Sequence, residues 1–320
     1  MNSRERIKTT LQFEEPDRVP WSLTLTAELR DRLAHEMNMP DLNVDEHFGV
    51  DLRFVPRLFG MDLPARPADV PVTEWTPMFT AEQIQDCAQQ VRQLQDRGLV
   101  TVSGYHMGVF EHLKDWLGDV DALVLPFEDP ARMCELLERL TQWKMEVYGA
   151  YVQAGIDIVL IGDDLGTQRS LIMSPELYRA WYRPCHEKMV AHYKRINPDV
   201  KVAFHSCGHV VPLVRDLIDI GVDILQSVQA ETMDIAYLKR TFGRDIAFWG
   251  AVGAQSVLAR TSPEQVIEGV RKTLKIMASG GGYIASPCHN LTEEVPWDSV
   301  VAFGEAMERY GKYPNPGGVL

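Results

Sequence analysis

The pair His205 and Cys207, within Phe204-His205-Ser206-Cys207-Gly208, is the part of the sequence best suited to binding a metal. It ends an apolar, β-branched run, Val200–His205, that predicts a strand. Side chains two apart on a strand point to the same face, so we expect the imidazole and the thiol to lie together. Nitrogen and sulfur are ligands that zinc selects. The spacing by itself is equally compatible with a buried cysteine beside a hydrogen-bonded histidine.

A catalytic zinc site needs a third protein ligand and an open fourth position. Cys288 and His289 follow another predicted strand, Gly282–Ser286, and both carry suitable donor atoms. Closure of a barrel would keep neighbouring strand ends within reach of one another. We predict Cys288 as the third ligand because its thiolate is the softer donor, and His289 is the alternative.

Polar side chains follow other predicted strands as well. Asp163 and Asp164 come after Ile156–Ile161, and we predict that they act in catalysis, either as a general acid or by orienting a zinc ligand. Capping of the following helix is the structural alternative for this pair. Four more side chains are predicted to bind substrate, although ordinary loop positions or core packing would also explain them: Gln168, Gln226, Trp249 and His106.

Short apolar runs alternate with longer amphipathic segments, which indicates βαβ units and a parallel sheet. The predicted strands are Arg18–Leu25, Leu99–Ser103, Ile156–Ile161, Val200–His205, Ile224–Val228, Ile246–Trp249 and Gly282–Ser286. The predicted helices include Ala81–Asp96, Pro130–Ala154, Pro175–Ile196, Val210–Ile220, Pro263–Ala278 and Trp297–Arg309. Weaker strand candidates, Leu52–Val55 and Val72–Trp75, are assigned to an N-terminal elaboration within residues 1–80.

Groups suited to chemistry recur at the ends of successive predicted strands. A barrel gathers its active-site residues at the carboxyl ends of its strands, whereas an open sheet collects ligand groups near one switch point. The pattern therefore favours a (β/α)₈ TIM-type barrel. No linker or composition break divides the chain, so we predict a single domain over residues 1–320.

Composition excludes several classes of function. With 45 acidic and 32 basic residues the formal net charge is −13, which argues against nucleic-acid binding because a phosphate backbone needs a basic surface. No apolar run is long enough to span a bilayer, and Met1–Lys8 lacks the apolar core of a secretory signal. The five cysteines are scattered and odd in number, which argues against a disulfide framework. We expect a cytoplasmic protein that binds neither nucleic acid nor membrane.

Several motifs together resemble the uroporphyrinogen decarboxylase superfamily over nearly the whole chain. They are Arg4 to Arg6 with Phe13 to Pro20, Gly162 to Gln168 with Ser174 to Tyr178, Phe204 to Gly208, Trp249 to Gln255, and Gly280 to Tyr283 with Pro287 to Asn290. The resemblance implies the distorted barrel of that superfamily. It is less specific for the reaction, because two branches of the superfamily carry out different chemistry.

The first branch, the authentic uroporphyrinogen decarboxylases, binds an octacarboxylate tetrapyrrole without metal, through arginines just after the first strand. Here Trp21–Thr26 contains no arginine, and Arg53 and Arg57 come only later. The second branch, the cobalamin-linked methyltransferases, resembles this chain in its H-x-C motif and a late cysteine as zinc ligands. In that comparison His289 competes with Cys288 for the late-ligand position.

The resemblance favours a zinc-dependent methyltransferase with two cofactors, Zn²⁺ and a corrinoid (cobalamin) carried by a separate corrinoid-binding protein. The methyl group would move between that corrinoid and either a small O-, N- or S-methyl compound, for example a methoxyarene in an O-demethylase, or a thiol acceptor. Two alternatives stay open: a metal-free decarboxylase of tetrapyrrole metabolism, and a non-catalytic protein that binds a corrinoid partner. A homo-oligomer is compatible with the sequence.

Overall fold

A computed structural model of the chain describes residues 1–55, 79–104, 107–259, 261–314 and 316–318. In these ranges seven strands alternate with helices. The strands are β1 (Leu52–Phe54), β2 (Val100–Val102), β3 (Ile158–Gly162), β4 (Lys201–His205), β5 (Ile224–Val228), β6 (Ala247–Val252) and β7 (Tyr283–Pro287). The alternation of strands and helices agrees with the sequence prediction, which did not include every helix.

The helices are α1 (Ser3–Leu11), α2 (Ala27–Glu36), α3 (Val44–His47), α4 (Ala81–Asp96), α5 (Val109–Leu117), α6 (Asp119–Glu128), α7 (Pro130–Gln153), α8 (Pro175–Leu177), α9 (Arg183–Ile196), α10 (Val214–Asp219), α11 (Ile235–Phe242), α12 (Pro263–Met277) and α13 (Trp297–Tyr310). None of the helices in the described part of the chain combines the length and apolarity that crossing a bilayer requires.

The predicted strand Arg18–Leu25 is wrong in one respect, because it forms isolated bridges instead of a continuous ladder. Trp21 bridges Ala285 in β7, and Leu25 bridges Leu291, both in the parallel sense. Pro20 lies within the segment, and its ring nitrogen has no hydrogen to donate to a ladder. The other predicted strands are found, including the weaker Leu52–Val55 as β1, whereas Val72–Trp75 lies outside the described residues.

Prolines also divide two of the predicted helices. The predicted helix Pro175–Ile196 consists of α8, a π-helical turn at Tyr178–Tyr182, and α9. Pro184, in the first turn of α9, has no N–H and its ring would clash with the carbonyl four residues earlier in an ideal α-helix. The wider π-turn before it avoids that clash. The predicted helix Val210–Ile220 likewise begins as a 3₁₀ turn, Val211–Leu213, before α10.

The chain forms two compact units. The first comprises Met1–Arg53, Gly98–Val100 and Ile224–Leu320, and the second comprises Phe54–Arg97 and Thr101–Asp223. The prediction of a single domain over residues 1–320, including an N-terminal elaboration, stays a prediction. The two units are described separately below.

In the first unit, β5, β6 and β7 pair in parallel, and Trp249 of β6 stands between Gln226 and Ile284. Residues of the bridged N-terminal segment pack on this layer. The indole of Trp249 donates to Ser22 Oγ at 2.8 Å, while Trp21 contacts the ring of Phe303 in α13 edge to face at 5.4 Å. Successive residues of the segment thus point to opposite faces, as in a strand.

A buried carboxylate fastens the N-terminus of the first unit. Asp51 is fully buried and accepts hydrogen bonds from the guanidinium groups of Arg6 and Arg18, each at 2.7 Å, and from the backbone N–H of Trp21 at 3.0 Å. Arg6 also pairs with Asp17, whose side chain is 42% exposed. The hydrogen bond from Arg6 favours the ionised form of Asp17 more strongly than burial opposes it. The pKa of Asp17 therefore lies well below its usual range.

In the second unit, β2, β3 and β4 pair in parallel, with Ile158 opposite both Val102 and Lys201. Helices α7 and α9 pack together beside them. At their contact the hydroxyl of Tyr193 donates to the Lys144 carbonyl at 3.0 Å, and its ring meets that of Tyr148 edge to face. Both tyrosines are buried, so this unit has its own aromatic core.

We expect Asp51→Asn to destabilise the protein far more than Asp17→Asn. Loss of the buried charge leaves two arginines without their common partner, which costs about 3–5 kcal/mol. Asp17 is substantially exposed, so its loss should cost about 1 kcal/mol or less. Guanidinium chloride unfolding of both variants and the wild type measures the difference. Similar losses of unfolding free energy in the two variants would refute the central role of Asp51.

Candidate functional site

Three potential metal ligands meet at the ends of β3 and β4 in the second unit. Asp164 Oδ1 lies 3.4 Å from His205 Nε2, and His205 Nε2 lies 3.5 Å from Cys207 Sγ. The three donor atoms all lie within 4.8 Å of one another, and each residue is half-buried. The structure therefore brings the predicted ligands His205 and Cys207 together and adds Asp164, whose predicted role was catalysis or orientation of a ligand.

The register between β3 and β4 explains why Asp164 reaches this pair. Gly162 stands opposite His205, and the Asp163 N–H donates to the His205 carbonyl at 3.0 Å. One residue further on, Asp164 Oδ1 accepts a hydrogen bond from the backbone N–H of Cys207 at 2.8 Å. The carboxylate thereby fixes the start of the loop that carries the thiol.

Two glycines allow the loops after β3 and β4 to lie in backbone contact. Gly208 has φ +78°, and a Cβ atom there would lie 2.4 Å from the carbonyl carbon of Gly166. Gly166 is equally confined, because its own Cβ would lie 2.5 Å from His209 N. The His209 N–H donates to the Thr167 carbonyl at 2.8 Å, which joins the loops directly. A side chain at either glycine would push Cys207 away from Asp164.

Electrostatics at this cluster favour a positive charge on the imidazole of His205. Burial opposes protonation of the imidazole, but hydrogen bonds to Asp164 and Cys207 outweigh it and raise the pKa of His205 to about 10. Burial likewise opposes ionisation of Asp164, yet the His205 contact prevails and lowers the pKa of that carboxyl. The carboxylate and the imidazolium therefore stabilise each other's charge.

The spacing of the donors fits a tetrahedral zinc ion. Ligands bound to zinc at about 2.0–2.3 Å in tetrahedral geometry are separated by roughly 3.5 Å. The observed separations are 3.4 Å between Asp164 Oδ1 and His205 Nε2 and 3.5 Å between His205 Nε2 and Cys207 Sγ. Oxygen, nitrogen and sulfur are all accepted zinc donors, so these residues could hold the ion.

The neighbouring Asp163 has a different environment. It is fully buried, and its oxygens accept hydrogen bonds from the N–H groups of Val109 and Glu111, both at 3.0 Å, and from His186 Nε2 at 2.9 Å. Val109 and Glu111 lie in the first turn of α5, so Asp163 caps a helix that precedes it in the chain. Gly108 permits this approach, because a Cβ there would lie 1.9 Å from Asp163 Oδ1.

These contacts give Asp163 a positioning role, and its predicted catalytic role stays a prediction. The capping alternative in the sequence concerned the following helix, whereas the helix that Asp163 caps is the preceding one. The chain reversal that brings α5 to the end of β3 is a long-range feature. The two adjacent aspartates therefore have different surroundings. Asp164 belongs to the donor cluster, which consists of Asp164, His205 and Cys207, and Asp163 is buried against the first turn of α5.

The predicted substrate-binding residues lie in varied surroundings, and their roles stay predictions. Gln168 is exposed within the turn Thr167–Ser170, where Thr167 Oγ1 donates to the Ser170 carbonyl. Gln226 is half-buried in β5. Trp249 is only 1% exposed, and its bond to Ser22 is what core packing in the first unit would produce. His106 lies outside the described residues.

In the first unit, Cys288 lies beside a carboxylate that the sequence argument missed. Its buried sulfur accepts a hydrogen bond from Ala254 N at 3.2 Å and lies 3.5 Å from Glu231 Oε2. The other oxygen of Glu231 accepts from the N–H and hydroxyl of Ser256 at 3.1 and 2.8 Å. The sequence feature that could have identified Glu231 is its position three residues after the end of β5. His289 is exposed, with Nδ1 3.1 Å from the Asn290 carbonyl.

Comparison with known proteins places this geometry in context. The family model described as Uroporphyrinogen decarboxylase (URO-D) matches residues 47–310. Curated relatives include uroporphyrinogen decarboxylases from Idiomarina loihiensis, 26% identical over 195 residues, and from Synechocystis sp., 27% identical over 192 residues. Each alignment covers 58% of this chain and 50% of the relative, so the chain spans about half the length of the curated relatives it matches.

Solved structures with similar folds extend over most of the chain. A methyltransferase from Methanosarcina mazei has a TM-score of 0.71 and 18% sequence identity, covering 97% of this chain and 99% of that chain. A B12-independent methionine synthase from Shewanella sp. W3-18-1 has a TM-score of 0.51 and 12% identity, covering 92% and 95%. At these identities the likeness concerns the fold. With the matching family model, it confirms the predicted α/β TIM-type barrel.

We expect Gly208→Ala to be more destabilising than Gly221→Ala. Both glycines have positive φ, +78° and +90°, so alanine strains the backbone at either position. At Gly221 the added Cβ would meet only Val190 Cγ1 at 3.6 Å and Lys194 Nζ at 3.7 Å, which are ordinary contacts. Overpacking against Gly166 should cost Gly208→Ala about 1–3 kcal/mol more. Denaturant unfolding compares the pair, and equal losses would contradict the close loop contact.

Proposed function

The chain belongs to the uroporphyrinogen decarboxylase family, and from this premise we propose that it is a zinc-dependent methyltransferase of the family's corrinoid-linked branch. The observation that carries the proposal is the cluster of Asp164, His205 and Cys207, whose donor atoms all lie within 4.8 Å of one another. The methyltransferase from Methanosarcina mazei, similar in fold, supports the same branch.

In this proposal His205 Nε2 and Cys207 Sγ hold the ion, and Asp164 Oδ1 either joins them or orients Cys207 through its N–H. When bound, zinc would supply Lewis acidity toward the heteroatom that carries the methyl group, or would favour the thiolate form of an acceptor thiol. Transfer to a cobalt(I) corrinoid balances in electrons, because cobalt supplies the pair of the new bond and the heteroatom keeps the pair of the old one. The same residues serve the reverse transfer to a thiol.

The partners in this proposal are a corrinoid-binding protein and either a small methylated compound or a thiol. A methyl group on oxygen, nitrogen or sulfur is transferred slowly because the heteroatom is basic and therefore a poor leaving group. A cation bound to that heteroatom lowers the barrier. In the proposal the donor cluster would hold that cation at the ends of parallel strands, where barrel enzymes place their substrates.

A metal-free decarboxylase of tetrapyrrole metabolism is the second candidate, because the curated relatives carry the name uroporphyrinogen decarboxylase. The contacts of two arginines in the first unit argue against it. Arg18 is paired with Asp51 at 2.7 Å, and Arg53 donates to the Val50 carbonyl at 2.7 Å and lies 3.9 Å from Asp45. A substrate with many carboxylates would need cations that are available to neutralise it, since an unpaired charge in a closed pocket is costly.

We expect the purified protein to bind about one zinc ion per chain. His205→Ala and Cys207→Ser should lose it, and Asp164→Asn should weaken binding at least about tenfold because a ligand or its orienting partner is gone. Cys134→Ser is the matched control, since Cys134 is exposed on α7 and should leave zinc content unchanged. Elemental analysis after gel filtration without chelator provides the measurement. A metal-free wild type, or equal losses in Cys134→Ser, would refute the site.

The predicted third ligand has its own test. If Cys288 binds zinc, Cys288→Ser should lower zinc affinity strongly while His289→Ala should not, because thiolate is the softer donor. Competition with a chromophoric chelator measures both affinities. The opposite order would identify His289 as the ligand, and two unchanged affinities would restrict the protein ligands to the second unit.

We expect the protein to form methylcobalamin from cob(I)alamin and a methyl donor, and to leave uroporphyrinogen unchanged. Methoxyarenes, methylamines, methanol and methyl thioethers make up the donor panel, with methylcobalamin and free thiols for the reverse direction. The cobalamin spectrum reports turnover, and Cys207→Ser is the inactive control because the ligand thiolate is missing. Conversion of uroporphyrinogen to coproporphyrinogen would overturn the proposal in favour of the decarboxylase. Inactivity in both assays would favour a non-catalytic corrinoid-binding protein.

A further inference from the structure

Helix α6 in the second unit is apolar on the side that faces solvent. Its inner side is formed by Ala122 and Pro126, which are buried four residues apart. On its outer side Val120 is 70% exposed and Phe127 is 73% exposed. These are the two largest exposures among the large apolar side chains in the described residues. A surface helix normally carries charge on that side, so the outer side of α6 departs from the usual pattern.

The exposed residues form a continuous stripe. Leu123 and Val124, both half-buried, lie between Val120 and Phe127 at the spacing that places residues on one helix face. We refer to Val120, Leu123, Val124 and Phe127 as the α6 stripe. A helix that is apolar on both sides is stable in water only when both sides are covered, and exposed apolar patches mark surfaces for protein association.

One edge of the α6 stripe is acidic. Asp121 and Glu128 are exposed and lie two turns apart on the same edge, about 10 Å along the helix axis. Neither has an ion-pair partner within the described ranges. Asp119, near the opposite edge, is already paired with Lys114 of α5 at 3.1 Å. The stripe therefore presents an apolar centre with two uncompensated negative charges along one side.

The position of α6 connects it with the donor cluster. Helices α5 and α6 pack together as a hairpin between β2 and α7. The hairpin begins at Val109, whose N–H donates to Asp163, and Asp163 precedes the cluster residue Asp164 directly. A protein bound to α6 would thus contact a structure that starts beside the candidate site.

We propose that the α6 stripe is the docking surface for a separate protein that presents an apolar patch flanked by two lysines or arginines about 10 Å apart. Charge complementarity identifies the occupant. A second copy of this chain would set Asp121 against Glu128 of its mate across a two-fold axis, between molecules of net charge −13. Like charges facing each other across an interface are unfavourable. A cationic partner neutralises both acids while it covers the apolar centre.

Two synthetic helical peptides of about 20 residues serve as probes. Both carry the same leucine stripe, flanked in one by lysines seven residues apart and in the other by glutamates. The wild type should bind the lysine peptide at least about tenfold more tightly than the glutamate peptide, and added salt should reduce that preference. Fluorescence anisotropy of labelled peptides measures both affinities without any methyl transfer, so the outcome is independent of the proposed activity.

Variants separate the apolar contribution from the charged one. Phe127→Ser should weaken binding of the lysine peptide at least about tenfold, because its exposed ring supplies the largest contact. The double variant Asp121→Lys with Glu128→Lys should reverse the preference, so that the glutamate peptide binds more tightly. Tyr237→Ser on α11, another exposed aromatic at 39%, is the matched control and should leave both affinities unchanged. Circular dichroism of each variant checks that the helices persist.

Three results would overturn the proposal. Equal affinity for the two peptides would mean that the acidic edge selects no partner. An equal loss in Tyr237→Ser and Phe127→Ser would show non-specific adhesion of the peptides. A wild-type dimer in light scattering that Phe127→Ser converts to a monomer would assign the α6 stripe to a second copy of the chain.

Discussion

The hydrogen bonds of one buried carboxylate determine how the second unit presents its chemistry. Asp163 joins the end of β3 to the first turn of α5 and to His186 of α9, which in turn lies 3.3 Å from the Tyr178 hydroxyl. Its charge is stabilised by the positive end of the α5 dipole and by the imidazole N–H. Because Asp163 is held from three directions, the direction in which the chain leaves β3 is fixed, and with it the position of Asp164.

This arrangement could be predicted only in part, and the reason lies in sequence separation. His205 and Cys207 are neighbours through the local two-residue period of a strand, so the sequence was sufficient to place them together. Asp164 joins them through the register of β3 against β4, with Gly162 opposite His205, and no local pattern encodes that register. Glu231 beside Cys288 depends likewise on which strand ends adjoin in the first unit.

The same contrast holds for the fold. Alternating apolar runs were sufficient to predict most strands, since each is an uninterrupted buried segment, and the helices with serine caps and a proline in the first turn were also found. The N-terminal segment failed as a strand because Pro20 removes a donor from its ladder. The α5–α6 hairpin was not among the predicted helices, and α6 lacks the polar outer face on which a periodicity argument relies.

The sign of the charge at the strand ends bears on which activity of the family these residues can support. Asp164 and Cys207 contribute negative charge when ionised, and the raised pKa of His205 shows that they favour a proton on the imidazole. In our proposal a divalent ion would take the place of that proton, with Cys207 as a thiolate ligand that would raise the electron density on the metal. A substrate carboxylate at the cluster would have the imidazolium of His205 as its cationic neighbour, and that group is already shared with Asp164. In the first unit Arg18 is paired with Asp51 and Arg53 lies beside Asp45, so each of these two guanidinium groups already has an acidic neighbour. In our proposal, a single cation at the strand ends suits a neutral methyl donor better than a tetrapyrrole with many carboxylates, because each unpaired carboxylate in a closed pocket is costly.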